Sequence, residues 1–143
     1  MSNVLALPLV QIEVETGNNE DWIDSIKFVV DPGDGTTDIN SFPQLDLRGI
    51  TFDMEIRRQA TDHEVIFAAS TTDGTIKIGT PPDFGFLIIN VSTAEMQTHK
   101  GGAYVGDIVG YDGLYRRTAI RIVLTIVEGV TKHPVQQRIV VAA

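Results

Sequence analysis

The sequence predicts an all-β protein, an antiparallel β-sandwich of seven or eight short strands with one short helical turn. Apolar and polar residues alternate in Ile50–Arg58 and again in Leu114–Glu128. A period of two hides apolar side chains only when the segment is a strand against a core. Turn signals such as Asp73-Gly74 recur roughly every 8–12 residues, and helical crossovers between strands are missing, which favours a sandwich over a parallel sheet.

The individual elements follow from local patterns. Pro8 cannot donate a ladder hydrogen bond, so the first strand begins after it. Trp22 is expected to cap one end of the core, and Asp31–Phe42 to form a long exposed connection. Gly85–Val91 is densely apolar, which predicts a strand buried on both faces, and Ser92–Glu95 matches a capping box, which predicts the helical turn. The predicted strands are Leu9–Glu15, Ile26–Val30, Ile50–Arg58, Glu64–Ser70, Thr75–Ile78, Gly85–Val91, Gly101–Gly110 and Leu114–Glu128.

The chain of 143 residues has the size of one domain, which is large enough for a self-supporting core. We predict an N-terminal arm at residues 1–8, the sandwich at 9–131, and a C-terminal tail or exchanged strand at 132–143. Met1–Leu7 is apolar but has no obvious place in the sandwich. Val4–Val10 is too short for a signal peptide or a membrane span, so we expect no membrane insertion.

Charge and cysteine content exclude several classes of function. The net charge is −8, whereas nucleic-acid binders usually present a basic patch that displaces counterions from phosphates. We therefore expect no nucleic-acid partner. The chain contains no cysteine, which excludes disulfides and thiol catalysis.

The three histidines do not form a recognisable catalytic or zinc motif. His63, His99 and His133 lie in predicted turns or in the tail. No GxSxG or HExxH pattern accompanies them, and zinc needs closely spaced Cys and His ligands. We expect each histidine to be a solvated surface residue rather than a catalyst.

Two acidic groups merit a comparison with known chemistry. Asp31, Asp34 and Asp38 could offer oxygen ligands to calcium, but turns prefer the same residue types and no bidentate Glu closes the loop. Asp53 and Glu55 lie about 7 Å apart on one strand face, near the spacing of a glycosidase pair. We expect that face to be open to water, so neither acid is predicted to be catalytic.

A carbohydrate-binding module is the alternative function. Trp22, Tyr104, Tyr111 and Tyr115 could form a sugar-stacking platform, although aromatic residues at strand ends and turns more often fill a core. The platform predicts that these rings are exposed side by side.

A series of short motifs follows in a characteristic order: Leu45–Gly49, Phe52–Arg57, Ser70–Ile76, Gly85–Val91, Ser92–Met96, Gly102–Ile108 and Glu128–Thr131. Their order, over roughly residues 9–131, resembles the immunoglobulin-like domains of phage and prophage tails, such as the domain that opens the upper baseplate proteins of some siphophages. Leu45–Gly49 is like the family's DLTG turn, and Gly102–Ile108 is like its G-x-Y-x-x-D-I strand.

The resemblance implies an immunoglobulin-like sandwich that serves as a non-enzymatic structural or adaptor component of a bacteriophage or prophage tail, in the baseplate or in fibre attachment. Other virion tail proteins would be its partners and the virion tail its location, after synthesis in the host cytoplasm. An arm can complete a neighbour's sheet edge. We therefore predict a homo-oligomer formed through one terminal segment, either Val4–Val10 or Val135–Val141. Neither catalytic, metal-binding nor cofactor-binding residues are predicted, and no cofactor. The alternative is a module that recognises cell-surface glycan.

Overall fold

The computed structural model describes residues 4–131, which form two β-sheets and almost no helix. The predicted all-β fold with one helical turn is confirmed. The strands are β1 (Val10–Gly17), β2 (Trp22–Lys27), β3 (Thr51–Arg57), β4 (Phe67–Ser70), β5 (Ile76–Ile78), β6 (Phe86–Val91), β7 (Gly102–Tyr111) and β8 (Arg116–Val127), with the helical turn α1 (Thr93–Met96) and two 3-10 turns at Val4–Ala6 and Ile39–Ser41. The predicted tail at 132–143 lies outside the described residues, as does His133.

The sheet order is that of an immunoglobulin-like sandwich. One sheet has the order β1-β8-β7-β3-β4 and the other β2-β6-β5. If β2 to β8 are labelled B, C, C′, D, E, F and G, the first sheet contains the G-F-C neighbours of that fold and the second sheet contains its B-E-D neighbours. All pairings are antiparallel except β1 with β8, which is parallel. The alternation of residues did not predict this parallel pairing, because a strand's own pattern does not specify its neighbour's direction.

The alternating residues of β3 and β8 point into the core as predicted. Phe52, Met54 and Ile56 are buried, while the residues between them are exposed or half-buried. The prediction for β6 was wrong in one respect, since only one of its faces is fully buried. Leu87 and Ile89 lie in the core, but no second layer covers the other face of β6 within residues 4–131. Local apolar density alone could not reveal that asymmetry.

β2 lies nearer the N-terminus than predicted. It begins at Trp22 and ends at Lys27, whereas we placed the strand at Ile26–Val30. Trp22 is 2% exposed, and its ring meets Phe67 edge-to-face with centroids 6.1 Å apart. The predicted role of Trp22 in the core is therefore confirmed.

The N-terminal arm has a place in the core, which the sequence did not reveal. Val4 and Leu7 are buried, and the backbone nitrogen of Val4 donates to Oδ2 of Asp112 in the β7–β8 hairpin at 3.2 Å. Gly110 on β7 provides the room. A Cβ atom there would lie 2.9 Å from Cδ1 of Leu7 and 3.0 Å from Cγ2 of Val4. The described part of the arm is thus packed against its own sandwich.

A buried asparagine joins the β1–β2 turn to the end of β8. The Nδ2 atom of Asn18 donates to the carbonyl oxygen of His99 at 2.9 Å and to Oε2 of Glu128 at 2.7 Å. Its Oδ1 atom accepts from the backbone nitrogen of Gly129 at 2.8 Å. These three hydrogen bonds, the Asn18 bracket, position the chain where it leaves β8, directly beside the end of β1.

Replacing Asn18 by alanine should lower the free energy of unfolding by about 2 kcal/mol, because the substitution removes three hydrogen bonds and leaves partly buried groups without them. Urea denaturation followed by circular dichroism measures the change. Asn40→Ala, in the exposed connection, is the matched control and should change stability by less than about 0.5 kcal/mol. Equal effects of the two substitutions would contradict a structural role for the bracket.

Candidate functional site

His99 is not the solvated residue that we predicted. Its side chain is 11% exposed, and its ring stacks on Phe67 with centroids 4.9 Å apart. Sequence reasoning missed this contact because Phe67 lies on a distant strand. His63 is exposed, as predicted.

The polar neighbours of His99 do not form a nucleophilic relay. Its Nε2 atom lies 3.1 Å from Oε2 of Glu95 and 3.3 Å from Oγ1 of Thr98. In a hydroxyl–histidine–acid relay the hydroxyl and the acid bind opposite ring nitrogens. Here both groups address the same nitrogen. The hydroxyl of Thr98 also donates to the carbonyl oxygen of Glu95 at 2.7 Å, so the cluster fastens the C-terminal end of α1.

The carboxylates of the Asp31–Phe42 connection are engaged within their own loop. Asp31 accepts from the backbone nitrogen of Gly33 at 2.9 Å, and Asp34 and Asp38 likewise accept from the residues two positions ahead. These are the local turns that aspartate typically forms. Among residues 4–131, no group of three or more potential ligands converges on a metal position.

Asp53 and Glu55 lie on the water-exposed face of the five-stranded sheet, as predicted. A shallow depression of about 520 Å³ on this face is lined by Glu55, Arg57, Asp107 and Arg121, among others. Nη2 of Arg57 lies 2.6 Å from Oε1 of Glu55, and the guanidinium also donates to the carbonyl oxygens of Asp62 and His63. These contacts anchor the β3–β4 connection rather than aim two acids at a common point.

The structure does not assemble the predicted sugar-stacking platform. Trp22 and Tyr104 are 2% and 1% exposed and belong to the core, so neither ring can stack on a sugar. Tyr111 and Tyr115 lie at the β7–β8 hairpin, where the guanidinium of Arg116 covers the Tyr111 ring at 4.2 Å. Tyr115 is half-exposed. The four aromatic residues therefore do not share one surface.

The Leu45–Gly49 turn is built around a carboxylate with a lowered pKa. Asp46 accepts from Nε and Nη2 of Arg48 at 2.9 and 3.0 Å, and from the backbone nitrogen of Arg48 at 3.0 Å. These hydrogen bonds lower the pKa of Asp46 from 3.8 to about 2, and those from the side chain of Arg48 have the largest effect. Leu47, between them, points into the core, and Gly49 adopts a φ of 86° that ends the turn.

The stabilising contribution of Asp46 should be lost as the pH is lowered from 3.8 toward 2. Because the pKa of Asp46 is lower in the folded state than its ordinary value of 3.8, the stabilising contribution is complete above pH 3.8 and is lost as the pH falls through about 2. The difference in unfolding free energy between wild type and Asp46→Asn should therefore shrink from pH 5 toward pH 2, measured by urea denaturation at each pH. The difference in unfolding free energy between wild type and Arg48→Met should shrink in the same way, because that substitution removes the side-chain partner of Asp46. An unchanged difference across that range would contradict the assignment.

The edge strand β1 carries apolar side chains that are incompletely covered. Val10 is 40% exposed, and Ile12 and Val14 are only half-buried. No strand lies on the outer side of β1 within the described part of the chain. By contrast, the register partners of these residues on β8 are all buried: Ile120, Ile122 and Leu124.

Acidic side chains accompany this edge. Glu13 and Glu15 alternate with the half-buried residues of β1 and are exposed on the outer face of the sheet. An exposed edge strand presents unpaired backbone groups that can accept another strand. The combination of a long edge, incompletely covered apolar residues and two carboxylates makes β1 the candidate functional site.

Comparisons with known proteins add no family assignment. No protein-family model matches the chain, and a search of curated proteins found no significant match. Within residues 4–131, none of the helices is long and apolar enough to cross a membrane.

Proposed function

We propose that the protein is a non-enzymatic structural or adaptor component of a bacteriophage or prophage tail, in the baseplate or in fibre attachment, and that it acts through protein–protein assembly. The observation that carries the assembly role is the incompletely covered edge strand β1. The tail location rests on the resemblance of the ordered motifs, several of which coincide with strands and turns of the sandwich.

The conformations of those motifs support the resemblance as a set of structural signals. Leu45–Gly49 is the turn that inserts Leu47 into the core. Gly102–Ile108 lies within β7, where Tyr104 is buried and its hydroxyl donates to the carbonyl oxygen of Lys100 at 2.6 Å. A family that shares this order of motifs would share these packing solutions.

We also propose that the protein forms a homo-oligomer through its C-terminal segment Val135–Val141. Of the two terminal segments with apolar residues, the N-terminal one already places Val4 and Leu7 in its own core. The C-terminal segment carries apolar residues at Val135, Ile139, Val140 and Val141 and is the better donor of a strand.

Size-exclusion chromatography with light scattering tests the assembly role. Full-length protein should form an oligomer, and a chain truncated after Thr131 should be a monomer. Monomers in both samples would contradict self-association. Detection of the protein in purified virions by mass spectrometry tests the tail location, and a glycan array that shows specific binding would instead favour the carbohydrate-binding alternative.

A further inference from the structure

We propose that the acceptor site for the C-terminal segment is the edge of β1 in a second copy of the chain, with Val135–Val141 added as an antiparallel strand and Arg138 placed opposite Glu13. This inference rests on the proposed self-association and names the two surfaces that would meet. Val135–Val141 lies beyond the described residues, so the inference comes from the acceptor's geometry and the segment's sequence.

Length and charge select β1 among the edges of the two sheets. β4 and β5 contain four and three residues and are too short to pair with the whole segment. β2 has six residues, one fewer than the segment, and carries one acid, Asp24, and one base, Lys27, so it offers a basic strand less negative charge than β1. β1 has eight residues and carries Glu13 and Glu15. Residues 132–143 include Lys132 and Arg138 and no acidic residue, whereas the whole chain has a net charge of −8.

One register keeps the whole segment opposite β1 and pairs two of its apolar residues with apolar residues of that strand. If Arg138 lies opposite Glu13, then Ile139 falls opposite Ile12 and Val141 opposite Val10. These two apolar pairs would cover Ile12 and Val10, whereas Gln137 would lie opposite Val14. A shift by one residue would turn Ile139 and Val141 toward the outer face, so the apolar pattern disfavours it.

The connection between the sandwich and the segment favours a second copy as the acceptor. Gly129 is held beside the end of β1 by its hydrogen bond to Asn18. A return along the same copy's β1 would need a reversal between Thr131 and Val135. His133 precedes Pro134, and a residue before proline favours an extended backbone. This preference disfavours such a reversal, which is why we propose a second copy as the acceptor.

Disulfide cross-linking between two separately produced variants tests this arrangement. The native chain has no cysteine, so Glu13→Cys and Arg138→Cys each introduce a single thiol. Directly opposed residues of antiparallel strands have Cβ atoms about 4.5–5.5 Å apart, close enough for a disulfide after small adjustments. When the two variants are mixed, allowed to exchange and oxidised, we expect a covalent dimer that contains one of each. Ser25→Cys, on the exposed face of β2, replaces Glu13→Cys in the matched control and should give no such dimer with Arg138→Cys.

Charge exchange provides a second measurement that does not depend on oxidation. Glu13→Arg or Arg138→Glu alone should raise the dissociation constant of the oligomer about 2- to 5-fold, because like charges then face one another. The double variant should restore the wild-type value.

The outcomes separate this inference from the proposed self-association. An oligomer that persists without the mixed disulfide, or one for which β2 cross-links as well as β1, would overturn the β1 assignment and leave self-association standing. A disulfide that forms only within a single chain carrying both substitutions would show that the segment folds back on its own sandwich, and would also overturn the inference. Monomers throughout would overturn both.

Discussion

Substitution of Trp22 by alanine is expected to lower the free energy of unfolding by about 3–5 kcal/mol, the range for removing a large aromatic side chain from a core. The ring of Trp22 is almost fully buried and meets Phe67 edge-to-face. Its Nε1 atom donates to Oδ2 of Asp24 at 2.7 Å, so the polar edge of the ring is also satisfied. Alanine would leave a cavity and would remove this hydrogen bond.

The next residue on the same strand supplies the control. Ile23 is 60% exposed, so Ile23→Ala should change stability by less than about 0.5 kcal/mol. Urea denaturation followed by circular dichroism compares the variants without relying on tryptophan fluorescence, since Trp22 is the only tryptophan. If Trp22→Ala were as stable as wild type, the residue would not be the core element described above. A glycan-binding role for its ring would then need to be considered again.

Leu7→Ala should destabilise the protein by about 2–4 kcal/mol, because Leu7 is buried against Gly110 although it precedes the first strand. The same experiment measures whether the arm belongs to the cooperative fold. A loss of this size with a single unfolding transition would place the arm within that unit.

Leu9→Ala is the matched control, since Leu9 has the same side chain two residues along the chain and is 49% exposed. We expect a change below about 1 kcal/mol, in proportion to the smaller apolar area that Leu9 buries. Comparable losses for Leu7→Ala and Leu9→Ala would contradict the distinct burial of the two side chains.

The interior of the arm's docking site depends on residues that are distant in sequence. Gly110 must lack a side chain for Val4 and Leu7 to approach it, and Asp112 holds the backbone of Val4. Asp112 also accepts from the backbone nitrogens of Leu114 and Tyr115, each at 2.9 Å. These hydrogen bonds keep the pKa of the Asp112 carboxyl below its ordinary value of 3.8, and the bond from Tyr115 has the largest effect. One side chain therefore organises both the hairpin and the arm.

The candidate site shows the same division between local and distant information. The alternation in β1 predicts a strand, and Glu13 and Glu15 are recognisable as its polar face. That β1 lies at a sheet edge follows only from its pairing with β8. The partial burial of Ile12 and Val14 follows from that edge position, so no inspection of residues 9–15 could have identified them as incompletely covered.

The all-β class, most of the strands, the Asp73-Gly74 turn and the absence of disulfides could be predicted from the sequence alone, because each depends on composition or on the period of neighbouring residues. Tertiary contacts were needed to establish that β1 runs parallel to β8, that Val4 and Leu7 belong to the core, that Phe67 covers His99, and that Tyr104 points away from solvent. Local periodicity specifies which residues share a face, whereas burial depends on what another part of the chain places against that face.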